Sequence, residues 1–436
     1  MKIHFIGIGG IGISGLAQYM HYKGHTVSGS DIKDTIITKK LRTLGIDVNI
    51  PHSGDAITNQ DLVVHSAIIR PDNPEIEAAV EKGIRVLARR EALLEILDDR
   101  KVYSVAAAHG KSTTTAILTA IMKGSAIIGA EAKEFGSNVR YDKETDVMLF
   151  EADESDGSFI NSNPYCAIVI NTEPEHMEYY DYNYELFYES YRRFITSAKH
   201  RVINAEDPFL ATLTDIEAVR LYPSMDIKNI EYVLINDEPH TRFELKDMGY
   251  FDVWGFGEHI ALDASLAILA ASEEMDIEDI RKNILNFKGI KKRFDIINIQ
   301  QNSIMIDDYG HHPTEIRATL QSVKEYARLK GFDKITAIWQ PHKYSRTIDN
   351  LDEFIKCFDG AQELIILPVW AAGETAREID FADKFSRYNL TMADNIKREN
   401  DKIDLIKDEH IFKTLDNGLI IGFGAGDITY QLRGII

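Results

Sequence analysis

At 436 residues the chain exceeds one ordinary core, since domains run to about 100–200 residues, and its 44% apolar and 27% charged content excludes a disordered, coiled-coil or disulfide-scaffold protein. Asp and Glu outnumber Lys and Arg by 69 to 49, and a net charge of −20 repels phosphate backbones and anionic lipid, so neither nucleic acid nor a membrane is expected as a partner. No apolar run reaches the roughly 18 residues of a membrane span, and Met1–Ile6 leads into a glycine turn with no room for a signal peptide, so a cytoplasmic location is expected.

The first strand-like run, Ile3–Ile8, enters Gly7-Ile8-Gly9-Gly10-Ile11-Gly12, which precedes a helical run over Ser14–Tyr22. A second strand, Thr26–Gly29, ends near Asp31, 19 residues after the last glycine. Glycines let the backbone turn tightly and approach a diphosphate, and the helix start offers it N–H groups and positive potential. A dinucleotide and a nucleotide-sugar diphosphate fit this turn equally well.

After the strand Leu62–His65, the charged passage Leu97–Lys101 marks a boundary, and the strand Val102–Ala107 opens a second segment. It runs into Ala107-Ala108-His109-Gly110-Lys111-Ser112-Thr113 and a helix over Thr114–Met122. Backbone N–H groups in such a loop cradle phosphate, the lysine pairs with β/γ oxygens, and the following hydroxyl suits Mg²⁺. The strand Val147–Glu151 then delivers four carboxylates, Glu151, Asp153, Glu154 and Asp156. Hard oxygen ligands at the carboxyl edge of a sheet, beside a phosphate loop, are what a magnesium nucleotide requires. Strand Ala167–Asn171 repeats the arrangement and ends in Asn171–Met177, bringing His176 within reach of a second ion. Cys166 and Cys357 lie in apolar surroundings without ligand or redox spacing and are read as buried spectators.

The Gly/Lys-rich passage Phe287–Arg293 marks a second boundary, and a third segment opens near Phe294. Asp307-Asp308-Tyr309-Gly310-His311-His312-Pro313-Thr314-Glu315 reads as a strand end feeding a helix, and Ile335–Gln340 leads into Gln340–Thr347. No spacing completes a zinc site around the paired histidines, which leaves substrate or phosphate contacts. Strands Leu364–Leu367 and Leu419–Gly422 follow. Alternating strands and helices throughout give an α/β class with mainly parallel sheets.

The ordered set G-I-G-G-I-G-I-S-G-L-A, H-G-K-S-T-T-T, E-A-D-E-S-D-G-S-F, N-T-E-P-E-H-M, F-K-G-I-K-K-R-F-D, D-D-Y-G-H-H-P-T-E-I, Q-P-H-K-Y-S-R-T, A-A-G-E and G-A-G-D-I-T resembles the Mur ligase family over essentially the whole chain. The likeness is to the member that joins the lactyl carboxylate of UDP-N-acetylmuramate to L-alanine, cleaving ATP to ADP and phosphate in peptidoglycan precursor synthesis. It implies three domains: a Rossmann-like UDP-sugar domain over 1–99, a central P-loop ATP-binding domain over 100–293, and a Rossmann-like C-terminal domain over 294–436 that binds the amino acid and closes over the site.

The resemblance also implies roles. Gly9, Gly10, Ile11, Gly12, Asp31, His52 and Ser66 would hold the UDP-sugar. Ala108, His109, Gly110, Lys111, Ser112, Thr113, Arg293, Asp308 and His312 would hold ATP. Ser112, Glu154 and His176 would ligate one or two Mg²⁺ ions; Tyr309, His311 and Arg346 would take the amino acid; Lys111, His176 and Arg346 would be catalytic. The carboxylate would be activated as an acyl phosphate. The sequence is compatible with a monomer or a homodimer.

Departures from the family pattern carry expectations of their own. Ala107-Ala108 replaces Gly-Thr, narrowing the loop's conformational choice. Ile260 and Asp263 stand where two adenine-binding amides are usual, and Lys343 replaces an arginine. The competing readings are a ligase that attaches a tripeptide to the same sugar, a non-catalytic UDP-sugar-binding protein, and an NAD-dependent oxidoreductase using the first loop alone.

Overall fold

The strand Lys2–Ile6 is the centre of an all-parallel five-stranded sheet, ordered Asp47–Asn49, Thr26–Ser30, Lys2–Ile6, Leu62–His65, Arg85–Ala88. The computed structural model describes residues 1–435. The strand order reverses direction beside Lys2–Ile6, the topological switch at which parallel sheets bind ligands beyond their carboxyl ends. Ile3, Phe5 and Ile6 are buried, as expected of a strand covered on both faces.

A second sheet has seven strands, ordered Val219–Leu221, His200–Asn204, Pro164–Val169, Lys101–Ala106, Val147–Glu151, Ser125–Ala132, Ser137–Arg140. All its pairs are parallel except the last, an antiparallel hairpin that no alternation in the sequence signalled. Lys101–Ala106 is central and flanked by Pro164–Val169 and Val147–Glu151, so three strand ends converge on one edge.

The third large sheet has six strands, ordered Asp295–Ile299, Ser303–Asp308, Gly418–Phe423, Ile335–Trp339, Glu363–Ile366, Leu390–Met392. The strand expected to open this segment does so, but it pairs antiparallel with Ser303–Asp308 and forms an edge. Two three-stranded sheets complete the fold, over 227–254 and 395–415, the latter antiparallel.

These elements form two compact units, one of 1–230, 243–253 and 259–288, the other of 231–242, 254–258 and 289–436. In the first, the helix Ile11–Tyr22 packs on the hairpin 125–140. Ile13 and Leu16 share a buried cluster with Ile127 and Val139, and Gln18 Nε2 donates to Asn138 Oδ1 at 3.1 Å. Each such buried aliphatic chain contributes about 1.5–3 kcal/mol. The first two sheets therefore share one core.

In the second unit, the helix Pro313–Lys330 shows why local sequence fixes an element. His312 caps its start, Pro313 presets the first turn, Glu315 closes a capping box, and Gly331 ends it at φ 73°. Its buried face, Ile316, Leu320, Val323 and Ala327, recurs at helical spacing. Cys166 and Cys357 are buried, and burial pushes both thiols well up, as spectators require. Among the described residues no helix is long and apolar enough to cross a membrane.

Candidate active site

At the carboxyl edge of the five-stranded sheet the glycine turn folds onto the neighbouring strand. Gly7 N and Ile8 N both donate to Ser30 O, at 2.9 and 3.0 Å. Gly9 N donates to Asp31 Oδ2 at 2.8 Å, and a Cβ on Gly9 would lie 2.8 Å from that same oxygen, so a side chain there would displace the carboxylate. Asp31 is thus engaged in holding the turn. Gly10 is the N-cap of the helix with no side-chain cap, so the N–H groups of Ile11 and Gly12 are available to an anion.

His52 and Ser66 lie at the same edge. Ser66 N donates to Ile6 O at 3.1 Å, and His52 Nδ1 is 2.7 Å from Ser30 Oγ. Behind them is a buried polar knot the sequence did not disclose. Glu75 Oε2 accepts from Ser30 Oγ at 2.5 Å and lies 3.3 Å from His4 Nε2, while Oε1 accepts from Ser53 N at 3.0 Å. His4 and Glu75 are fully buried. Burial opposes the charge on Glu75, but His4, Ser30 and Ser53 N–H more than offset it and lower its pKa.

The phosphate loop leaves the central strand of the seven-stranded sheet. Gly110 takes φ 88°, a left-handed conformation that suits glycine, and caps the helix Lys111–Ile121. Neither Ala107 nor Ala108 has positive φ, so the two alanines adopt backbone that any L residue tolerates. Lys111 Nζ donates to Ala107 O at 2.5 Å, Ala108 O at 3.1 Å and Glu154 Oε1 at 3.1 Å. Burial opposes its charge, yet Glu154, Glu151 and Asp153 raise its pKa, so it is fully protonated. Thr113 follows in the first helical turn.

Ser112 Oγ donates to Glu151 Oε1 at 3.0 Å, and Gly129 N donates to Glu151 Oε2 at 2.6 Å. Glu154 is brought to Glu175 and His176, one ligand atom from each lying within 4.8 Å of the others. Glu154 Oε2 is buried and accepts no hydrogen bond among the described residues, although Lys111 Nζ is 2.9 Å away. Burial pushes the Glu154 carboxyl up to about 7 despite Lys111. A buried carboxylate beside a second carboxylate and an imidazole fits a hard divalent cation. His176 has φ 53°, a strained conformation of the kind that gathers at functional sites.

Two supports hold this edge. Asn171 Oδ1 accepts from Ala108 N at 2.9 Å and His109 N at 3.1 Å, and its Nδ2 donates to His109 O at 2.9 Å. Thr172 N and Oγ1 bind the Asp207 carboxylate at 2.9 and 2.7 Å, anchoring the segment that carries Glu175 and His176. Asp263 is buried against the loop, its Oδ1 2.5 Å from where a Gly110 Cβ would stand.

In the second unit, four motifs distant in sequence gather at the carboxyl edge of the six-stranded sheet. Arg346 Nη1 donates to His342 Nδ1 at 3.0 Å. Burial first, then Arg346 and His311, hold His342 down to about 4, so it is neutral near pH 7. Burial likewise lowers His311, whose Nδ1 is 3.1 Å from Tyr309 O. Ser345 N and Oγ bind the Glu374 carboxylate of A-A-G-E at 3.0 and 2.5 Å. Gln340 Nε2 donates to Asp427 Oδ1 of G-A-G-D at 2.6 Å. Lys343 has φ 67°, so this edge also stores strain.

Arg293 Nη1 donates to Glu315 Oε1 at 3.2 Å, while Glu315 Oε2 accepts from His311 N and His312 N at 3.0 and 3.1 Å. Asp308 is buried rather than displayed: it accepts from Phe294 N and Gly310 N, each at 2.7 Å. Burial pushes it up to about 6 against Arg293 and these N–H groups. Tyr309 is exposed at the rim. Residues overlooked in the sequence, Glu75, Asn171, Glu175, Glu315 and His342, lie mostly inside quoted motifs; their placement against a phosphate loop or a histidine needed coordinates.

The pattern of the Mur ligase family, catalytic domain, matches residues 2–101, and that of the Mur ligase, glutamate ligase domain, matches residues 292–426. The UDP-N-acetylmuramate–L-alanine ligase of Campylobacter curvus is 54% identical over 433 residues, covering 99% of both chains. That of Helicobacter pylori strain P12 is 55% identical over 437 residues, covering 99% of this chain and 96% of its own. The crystal structure of UDP-N-acetylmuramate-alanine ligase from Thermotoga maritima superposes with a TM-score of 0.82 at 26% identity, covering 99% of this chain and 97% of that one. A murein peptide ligase from Psychrobacter arcticus shares the fold, with a TM-score of 0.64 at 19% identity over 100% of this chain and 99% of that one.

Proposed function

The chain belongs to the Mur ligase family, and from that premise we propose that it joins L-alanine to the lactyl carboxylate of UDP-N-acetylmuramate with cleavage of ATP. The family is ATP-dependent. One observation carries the reading furthest: Lys111, Glu154, Glu175 and His176 converge at one sheet edge beside a loop built to hold phosphate.

A carboxylate is a poor electrophile and needs a better leaving group. Its oxygen attacks the γ-phosphorus, ADP leaves, the amine nitrogen adds to the acyl carbon, and phosphate departs with loss of one amine proton. Lys111, held protonated by its acidic neighbours, offsets charge on the transferring phosphoryl group. Ala108, His109, Gly110, Ser112 and Thr113 present loop backbone and hydroxyls to the nucleotide, with Arg293, His312 and the buried Asp308 shaping the second unit's share. Glu154, Glu175 and His176 would hold Mg²⁺, with Ser112 reaching it from Glu151. Bound there, Mg²⁺ supplies electrostatic neutralisation of phosphate oxygens.

In the first unit, Gly9, Gly10, Ile11 and Gly12 take the diphosphate, Asp31 fixes the turn, and His52 and Ser66 line the nucleotide side. In the second unit, Tyr309, His311 and Arg346 form the amino-acid surface. Arg346 spends one donor on neutral His342 and keeps the rest of its fork for a carboxylate. Both nucleotide substrates are intracellular compounds, so the reaction belongs in the cytoplasm. The test is phosphate release from ATP with Mg²⁺: release must require UDP-N-acetylmuramate and L-alanine together, and a panel with glycine and L-serine reads the selectivity. Release indifferent to either substrate rejects the assignment.

A further inference from the structure

Arg89 opens the helix Arg89–Ile96, at the carboxyl edge of the five-stranded sheet. Its guanidinium lies over the first turn of the glycine-turn helix: a Cβ on Gly12 would stand 3.1 Å from both Cζ and Nη2. On its other side, Nη1 donates to Asp156 Oδ2 at 3.2 Å, in the acidic turn that carries Asp153 and Glu154. The helix and the acidic turn are tied together, since Asn161 Nδ2 donates to Arg90 O at 2.8 Å.

The Arg89 side chain is only 13% exposed, and among the described residues its Nε is buried without a hydrogen-bond partner. An arginine carries five donors in a planar fork suited to carboxylate or phosphate oxygens. A purely structural cation against Asp156 would not be expected to leave a buried donor unmet, because such a donor costs stability. The unspent edge of the fork is beside Gly12, where uncapped helix N–H groups already favour an anion.

We propose that Arg89 is a substrate-contact residue that binds an anionic oxygen of the nucleotide sugar, while Asp156 fixes its guanidinium from behind. This rests on the assignment of UDP-N-acetylmuramate as substrate. The oxygen belongs to the diphosphate or to the lactyl carboxylate, and both present the planar fork with the same chemistry. Through Asp156, the contact joins the sugar-nucleotide turn to the acidic turn, so that the acid substrate is oriented relative to the phosphate loop.

The experiment is calorimetric titration of the full chain with UDP-N-acetylmuramate, UDP-N-acetylglucosamine and Mg²⁺·ATP, for wild type, Arg89→Ala and Arg89→Lys, with steady-state kinetics alongside. Arg89→Ala is expected to weaken UDP-N-acetylmuramate about tenfold to a hundredfold and to raise its KM more than it lowers kcat, with ATP affinity within about twofold. Arg89→Lys, which keeps charge but not the fork, should fall between and guards against misfolding of the alanine variant. Loss for both sugars assigns the diphosphate; loss for the muramate alone assigns the carboxylate. Unchanged sugar affinity in both variants, or an equal fall in ATP affinity, overturns the inference while leaving the function standing. Wild type that binds neither sugar overturns the substrate assignment and this inference with it.

Discussion

The side chain of Asn171 grips the phosphate loop at His109: its Oδ1 accepts from His109 N at 3.1 Å and its Nδ2 donates to His109 O at 2.9 Å. With Ala108 N also on Oδ1, one amide closes three hydrogen bonds to the backbone that must hold nucleotide phosphate. Asn171→Ala should release the loop and weaken ATP by about threefold to tenfold, and Asn171→Asp, which adds charge and loses the donor, by about a hundredfold. Isothermal titration with Mg²⁺·ATP reads both. Tighter binding in Asn171→Ala would mean that the amide competes with phosphate instead of preparing the loop.

Lys111 is salt-bridged to Glu154 and far from the glycine turn in sequence and in sheet. Lys111→Ala should lower kcat by at least about 10²–10³, the scale of a lost preorganised donor, with UDP-N-acetylmuramate affinity preserved. Phosphate release and calorimetry measure the two separately. Joint loss would show that the sites are not energetically separate.

Glu154, Glu175 and His176 predict a cation site with its own readout. Bound Mn²⁺, followed by electron paramagnetic resonance without any substrate, should weaken about tenfold or more in His176→Ala and in Glu175→Gln. EDTA should abolish turnover and added Mg²⁺ restore it. Mn²⁺ affinity equal to wild type in both variants would remove these residues from the site.

Glu315 gives a pH dependence of stability. Burial alone would raise its pKa, but Arg293 and the N–H groups of His311 and His312 hold it at about 2, against 4.5 ordinarily. A depressed carboxyl stabilises the fold above its unfolded pKa and loses that contribution as pH falls through the folded one, here between about 4.5 and 2, a total of about 3 kcal/mol. The thermal-unfolding gap between wild type and Glu315→Gln should therefore be widest above pH 5 and close on acidification. Asp308 works in the opposite sense: raised to about 6, its ionisation costs stability as pH rises from about 4 through 6. A gap that stays constant with pH would show that Glu315 acts through packing alone.

The sequence by itself determined the α/β class, many of the individual strands and the glycine, phosphate and acidic turns, because each is local: a strand, a glycine at positive φ, a cap. Leu62–His65 and Val147–Glu151 fall where periodicity put them, and the loop Ala107–Ser112 sits between its strand and its helix. Pairing partners were not legible. Asp295–Ile299 is an antiparallel edge, and Ser125–Ala132 with Ser137–Arg140 forms a hairpin whose partner in packing is the first helix. Hydrogen-bond register and packing join residues that sequence separates, so they belong to the tertiary structure.

The same division runs through the site. Its titratable residues were visible as motif members, but which acceptor meets which donor was not. Ser112 meets Glu151, Glu175 joins Glu154 and His176, and Arg89 reaches from one sheet to the acidic turn of the next. Only the folded chain decided these, because burial strips water from each charge and makes the nearest partner, whatever its sequence distance, set the state of the group.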